Sequence, residues 1–145
     1  MKRLTEDWAD KFRTLVHNIS DAAEVTAVTM QDWFPTAQRE QGHGRIVLMG
    51  DAAHTMTMFR GEGANNAVVD VHDFVKRVGH LLQPADETVS WEAIEQGLQA
   101  YDKDVFARGQ PCVVNARQAC LDAHDYSRIT DESPLISKRV VKQEG

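Results

Sequence analysis

The sequence predicts an α/β fold dominated by helices, with two or three short strands and three or four helices. Three stretches carry the prediction. Ile46-Val47-Leu48-Met49 is an unbroken apolar run bounded by Gly44-Arg45 and Gly50-Asp51, which reads as a short buried strand ending abruptly in a turn. Behind Gly63, apolar residues recur three or four apart at Ala64, Ala67, Val68, Val71, Phe74, Val75, Val78, Leu81 and Leu82. That is the spacing of a long amphipathic helix opening on glycine. Val25 to Met30 is rich in β-branched residues and alternates weakly, as a strand does.

Taken in order, the chain offers a first helix capped by Thr5, with Glu6 and Asp7 in its opening turn and Trp8, Phe12, Leu15, Val16 and Ile19 on one stripe. The strand at Val25 to Met30 ends at Gln31-Asp32-Trp33-Phe34-Pro35, where proline leaves the ladder. Thr36 to Gly44 is a polar connection to the central strand. After the long helix, Pro84-Ala85-Asp86-Glu87 is a break, and Ser90 caps the next helix with Glu92 in its first turn. Trp91, Ile94, Leu98, Tyr101 and Val105 are its expected inward residues. Gly109 and Pro111 interrupt the pattern, which resumes at Cys112, Val113, Ala116, Ala119, Cys120 and Ala123; a kinked helix and two abutting helices fit equally. From Ser127 the periodicity dissolves, and the end with Pro134 and the basic Lys138-Arg139-Val140-Val141-Lys142 is expected to be loose.

A strand as apolar as Ile46 to Met49 is normally covered on both faces inside a sheet, and these 145 residues hold no neighbours for it. The expectation is a slice of a larger chain, or a partner subunit that completes the sheet. With 16 Lys and Arg against 22 Asp and Glu the formal charge is -6, which argues against nucleic acid or an anionic membrane as partner. No apolar run approaches the length of a bilayer span, and Met1-Lys2-Arg3-Leu4-Thr5-Glu6-Asp7 turns acidic where a signal peptide becomes apolar, so a cytoplasmic location is expected. Cys112 and Cys120 fall two turns apart on one helix, and the six histidines lack metal-ligand spacing, so neither a disulfide framework nor a metal site is indicated.

Gly44 to His54, followed by Gly61-Glu62-Gly63-Ala64-Asn65, resembles the C-terminal FAD-contacting motif of the para-hydroxybenzoate hydroxylase-like, or group A, flavin-dependent aromatic monooxygenases. Asp32-Trp33-Phe34-Pro35 looks like that family's entry into the strand, and Arg117 to His124 looks like its closing helix. The resemblance implies the last part of a FAD-binding fold. Residues 1–35 would end the substrate-domain region, residues 36–128 would close the FAD-binding domain, and residues 129–145 would be a loose tail. It also implies cofactor contacts. Gly50 and Asp51 match the pair whose carboxylate accepts hydrogen bonds from the ribityl hydroxyls, and Gly63, Ala64 and Asn65 match the segment whose backbone N–H groups face the pyrimidine edge of the isoalloxazine. A helix start has unpaired donors and partial positive charge, and so favours the reduced, more negative flavin by about 0.3–1 kcal/mol, up to roughly 2 when partly buried. The chain departs from the family at Thr55-Met56-Thr57-Met58-Phe59-Arg60, where many members carry a proline or a Gly-Gly step, and it holds no GxGxxG fingerprint.

Each signal also has a plainer reading. Gly50-Asp51 alone is a common turn, and Asn65 alone is a common helix cap. Arg60 reads as a solvated loop charge, His54 and the two cysteines as packing residues, and Met49, Met56 and Met58 as filler of core or loop. Joined in one strand-turn-helix unit, however, Gly50, Asp51, Gly63, Ala64 and Asn65 point to FAD. By resemblance, the complete enzyme takes electrons from NAD(P)H and puts one atom of O2 into an aromatic or polyketide-like molecule. No residue of this chain is required as acid, base or nucleophile. The rival expectation is a non-catalytic, helix-rich module that binds another chain, or one that needs a complementing chain for the GxGxxG half.

Overall fold

The computed structural model describes residues 2–35, 46–82 and 89–137. Among the described residues, four α-helices carry the fold: α1, Asp10–His17; α2, a single turn at Asp51–His54; α3, Gly63–Arg77; and α4, Trp91–Ala123. Short 3-10 turns lie at Lys2–Thr5, Met58–Arg60, Gly79–Leu82 and Tyr126–Arg128.

Among the described residues there is no β-strand, which corrects the expected α/β fold with its two or three strands. A strand exists by pairing, and neither apolar stretch has a neighbour to pair with among these residues. Val25 and Val28 are exposed, so the first stretch buries no face that would hold it extended against a core. Ile46 to Met49 alternates instead of being covered on both faces. Ile46 and Leu48 are exposed, while Val47 and Met49 pack on the buried cluster of Ala53, Tyr101 and Val105 together with Phe74. The Tyr101 hydroxyl donates to the Leu48 carbonyl at 3.0 Å, a side-chain bond where a ladder would use backbone. The Phe74 and Tyr101 rings meet edge-on, centroids 5.6 Å apart, and close this core from α3.

The backbone of the molecule is α4. Ser90 caps it as expected, accepting from the Ala93 N–H at 3.3 Å. Its buried residues, Tyr101, Val105, Gly109, Val113, Ala116, Ala119 and Asp122, form one stripe running past Pro111, and the helix is continuous from Trp91 to Ala123. Proline deprives the carbonyl four residues earlier of its donor, and here both Pro111 and Ala107 lie on the exposed face, where that carbonyl is accessible to solvent.

At the other end, Thr5 does not cap α1. Its hydroxyl donates to the Lys2 carbonyl at 2.8 Å, and α1 begins five residues later behind Ala9 with no side-chain cap. Trp8, Phe12, Leu15 and Ile19 all stay exposed. The segment before residue 35 is tied to α4 by polar contacts: Arg117 pairs with Asp32 through Nε at 2.8 Å and Nη2 at 2.5 Å, and Gln110 Nε2 donates to the Pro35 carbonyl at 2.9 Å. Trp33 N–H donates to the Thr55 carbonyl at 2.9 Å. Beyond α4 the chain folds back on it, with the buried Ser133 hydroxyl donating to Asp122. The expected connection at Thr36 to Gly44, the break at Pro84 to Glu87 and the basic stretch from Lys138 lie outside the described residues.

Candidate functional site

The site is built on the turn between Met49 and α2. Gly50 has φ 55° and ψ −136°, a conformation open essentially to glycine alone, and it reverses the chain so that α2 starts at once. The Ala53 and His54 N–H groups donate back to the Gly50 carbonyl at 2.9 and 3.0 Å, and the Thr55 hydroxyl donates to the Asp51 carbonyl, which closes the single turn. Space is tight on the inner side: a Cβ on Gly50 would stand 3.1 Å from the Ala67 Cβ of α3.

Beneath the turn lies a buried polar network that sequence patterning did not find. Asp70, fully buried on α3, accepts at Oδ2 from the Gly50 N–H and from His54 Nε2, each at 2.7 Å, and at Oδ1 from the guanidinium of Arg108 on α4. A carboxylate only accepts, so the His54 proton facing it sits on Nε2. Arg108 also donates to Asp73 Oδ2 at 2.9 Å. His54 is itself buried, with no hydrogen-bond partner for Nδ1 among the described residues, and it packs against Gly109, where a Cβ would come within 3.1–3.3 Å of its ring and Cβ. The legible signal was an acid set between valines in a helical window; its partners come from two distant segments, which no local period reveals.

The upper side of the turn is open. Asp51 is exposed, and no hydrogen bond to its carboxylate occurs among the described residues. Its Oδ1 lies 3.9 Å from where a Gly63 Cβ would be, and Met56 Cγ lies at the same distance from that point. The expected residues Asp51 and Gly63 therefore meet, and Ala64 and Asn65 follow on the exposed start of α3. That start lacks a side-chain cap. The first helical bond runs from the Asn66 N–H to the Glu62 carbonyl at 3.0 Å, which leaves the amides of Gly63, Ala64 and Asn65 without helical acceptors. Glu62 stands at the cap position, but its carboxylate is turned to Arg60, which holds it through Nε at 3.0 Å and Nη2 at 2.9 Å and also donates to the Pro134 carbonyl. Arg60, expected as a solvated charge, is thus a partly buried clamp. Gly50, by contrast, spends its N–H inward on Asp70, and its part in the site is conformational.

An accepting carboxylate and a row of amides without acceptors among the described residues, side by side on open surface, suit a ligand bearing hydroxyl donors next to carbonyl or ring-nitrogen acceptors. The residues present therefore fit a flavin with its ribityl chain. A cleft of about 320 Å³ between Lys2, Arg3, Val16, Ile19, Asp21 and Val25 shares no residue with this site.

Residues 2–116 match the family model described as FAD binding domain, and the chain belongs to that family. FAD is accordingly its cofactor. Among its relatives, a probable FAD-dependent monooxygenase of Arthroderma benhamiae is 34% identical over 142 residues, covering 96% of this chain and 33% of that protein. The FAD-dependent monooxygenase tazP of Aspergillus terreus is 43% identical over 72 residues, 49% of this chain and 18% of its own. The FAD-dependent monooxygenase cctM of Talaromyces islandicus is 28% identical over 137 residues, 94% of this chain and 33% of its own. The chain thus spans about a third of the length of the curated relatives it matches. No solved structure matches it significantly. Among the described residues, no helix is long and apolar enough to cross a membrane.

Proposed function

We propose that this chain is the flavin-contacting C-terminal part of a FAD-dependent monooxygenase of the para-hydroxybenzoate hydroxylase-like group, which uses NAD(P)H and O2 to hydroxylate an aromatic or polyketide-like small molecule. Residues 36–128 close the FAD-binding domain and residues 1–35 end the substrate-domain region. The observation that carries the proposal is the exposed Asp51 carboxylate beside Gly63 at the uncapped start of α3.

Asp51 accepts from ribityl hydroxyls, and a charged acceptor makes the stronger, shorter kind of hydrogen bond. The Gly63, Ala64 and Asn65 amides donate to the pyrimidine edge of the ring, where the positive end of α3 offsets charge gained on reduction. The absence of a side chain at Gly63 lets the ring approach the backbone. When bound, FAD supplies the redox and oxygen chemistry, and the chain's residues bind and orient it.

The test is a titration with riboflavin and with FAD, followed by flavin fluorescence. With no GxGxxG among its 145 residues, the chain reads only the flavin end of the cofactor, so the two ligands bind with equal, weak affinity. Asp51→Asn keeps the shape and removes the charge, and lowers both affinities about tenfold, the equivalent of roughly 1.4 kcal/mol. Unchanged affinity in a folded Asp51→Asn protein would sink the proposal.

A further inference from the structure

Resting on that reading of the Gly50-Asp51 turn, we propose that Asp70, which faces away from the ligand surface, is the positioning residue that sets the flavin contact made by Asp51.

The turn has a conformation that the chain would not hold unaided. Gly50 sits at φ 55°, α2 is one turn long, and Asp51 itself lacks a hydrogen bond among the described residues that would aim its side chain. What fixes the unit is one carboxylate below it. Asp70 Oδ2 takes the N–H of the residue before Asp51 and the imidazole of the residue three after it, so both ends of α2 are pinned to a single oxygen at 2.7 Å each. Asp70 is immobilised in turn by Arg108 at its other oxygen, and Arg108 by Asp73 one helical turn further along α3. Because Asp70 and Gly63 belong to the same helix, the network also locks the register between Asp51 and the amides at the start of α3 that lack helical acceptors. Ligand hydroxyls and ring acceptors are rigidly spaced, so a carboxylate that drifts relative to those amides satisfies only one half of the ligand at a time. Contacts between charged groups in a buried setting give such a lock its stiffness.

Asp70→Asn is the direct perturbation. An amide presents one acceptor where the site has donors on both oxygens, so either Arg108 or the Gly50 and His54 pair faces an NH2 group. The expected result is riboflavin affinity at least tenfold weaker, measured well below the unfolding transition. Ser133→Ala, which removes a buried hydrogen bond to Asp122 at the far end of α4, lowers the melting temperature and leaves that affinity unchanged. In the unsubstituted chain, NMR should detect a through-hydrogen-bond coupling between the Gly50 nitrogen and the Asp70 carboxyl carbon, together with slow exchange of the Gly50 amide. This second measurement needs no variant and decides the geometry even if Asp70→Asn does not fold. No coupling and a freely exchanging Gly50 amide would overturn the proposal. So would wild-type affinity in Asp70→Asn beside weakened binding in Asp51→Asn. Unchanged affinity in Asp51→Asn overturns the flavin reading instead, so the two failures are distinct.

Discussion

Replacing Gly50 by alanine tests whether the turn is as tightly determined as its geometry says. Two terms act on the variant. A side chain at φ 55° and ψ −136° occupies a region that non-glycine residues avoid, at about 1–3 kcal/mol. The new Cβ would also stand 3.1 Å from the Ala67 Cβ, and α3 is held there by the Asp70 network, so forcing the contact adds about 1–3 kcal/mol. The sum centres on roughly 4 kcal/mol, a large share of the roughly 5–15 kcal/mol that stabilises an ordinary domain. Urea unfolding followed by tryptophan fluorescence measures it, with an unchanged slope showing that the unfolded state is not at issue. Gly50→Ala combined with Ala67→Gly separates the terms: the contact is relieved and the backbone term stays. Gly63→Ala is the control, since its Cβ would meet nothing closer than 3.9 Å and alanine gains up to about 1 kcal/mol over glycine in a helix. It should match or exceed the unsubstituted chain in stability while losing riboflavin affinity. A Gly50→Ala protein within about 0.5 kcal/mol of the parent would refute the reasoning.

Two further outcomes follow from the same geometry. Gly109→Ala, which helix propensity alone would favour by about 0.5–1 kcal/mol, is expected to destabilise by about 1–2 kcal/mol in thermal unfolding, because its Cβ would press within 3.1 Å of the buried His54. Arg117→Gln is expected to lose stability in a pH-dependent way. The hydrogen bond from Arg117 holds the Asp32 carboxyl below the usual carboxylate range. The stability it contributes is therefore present above the unfolded-state pKa of Asp32 and disappears as pH falls through the lowered folded-state value. Unfolding midpoints of variant and parent should differ at neutral pH and converge in acid, and a constant gap would contradict the assignment.

The helices were legible where local chemistry defines them. Ser90 with Glu92 marks the start of α4, and Gly63 with the spacing behind it marks α3. What the spacing could not give was the direction in which α3 faces. Val68, Val71 and Val75, its clearest apolar stripe, are 69%, 53% and 60% exposed, while Asn66 and Asp70 are buried. A period counts apolar side chains, and here the inward face mixes Phe74 with buried Asn66 and Asp70, the latter satisfied by groups that arrive from residues 50, 54 and 108. The strands failed for a related reason, because β-branched composition records a preference that only a neighbour can realise. Juxtaposing Asp51 with Gly63 follows from a short loop joining a turn to a helix, so that much of the site could be read in advance. Arg60 could not, since its partner carbonyl at Pro134 lies 74 positions away.

The sideways posture of Glu62 gives α3 an electrical polarity that projects outward from the protein. Most helices neutralise their own beginning, as α4 does with Ser90. In α3 the carboxylate at the cap position is leashed to a guanidinium, that of Asp51 stands beside Gly63 without a hydrogen bond to the amides among the described residues, and the amide end is left to an occupant that can accept from it. An occupant there would also stitch together the first turn, so fraying at residues 63–65 should slow on loading, and the helix start would act as both cradle and beneficiary of its guest.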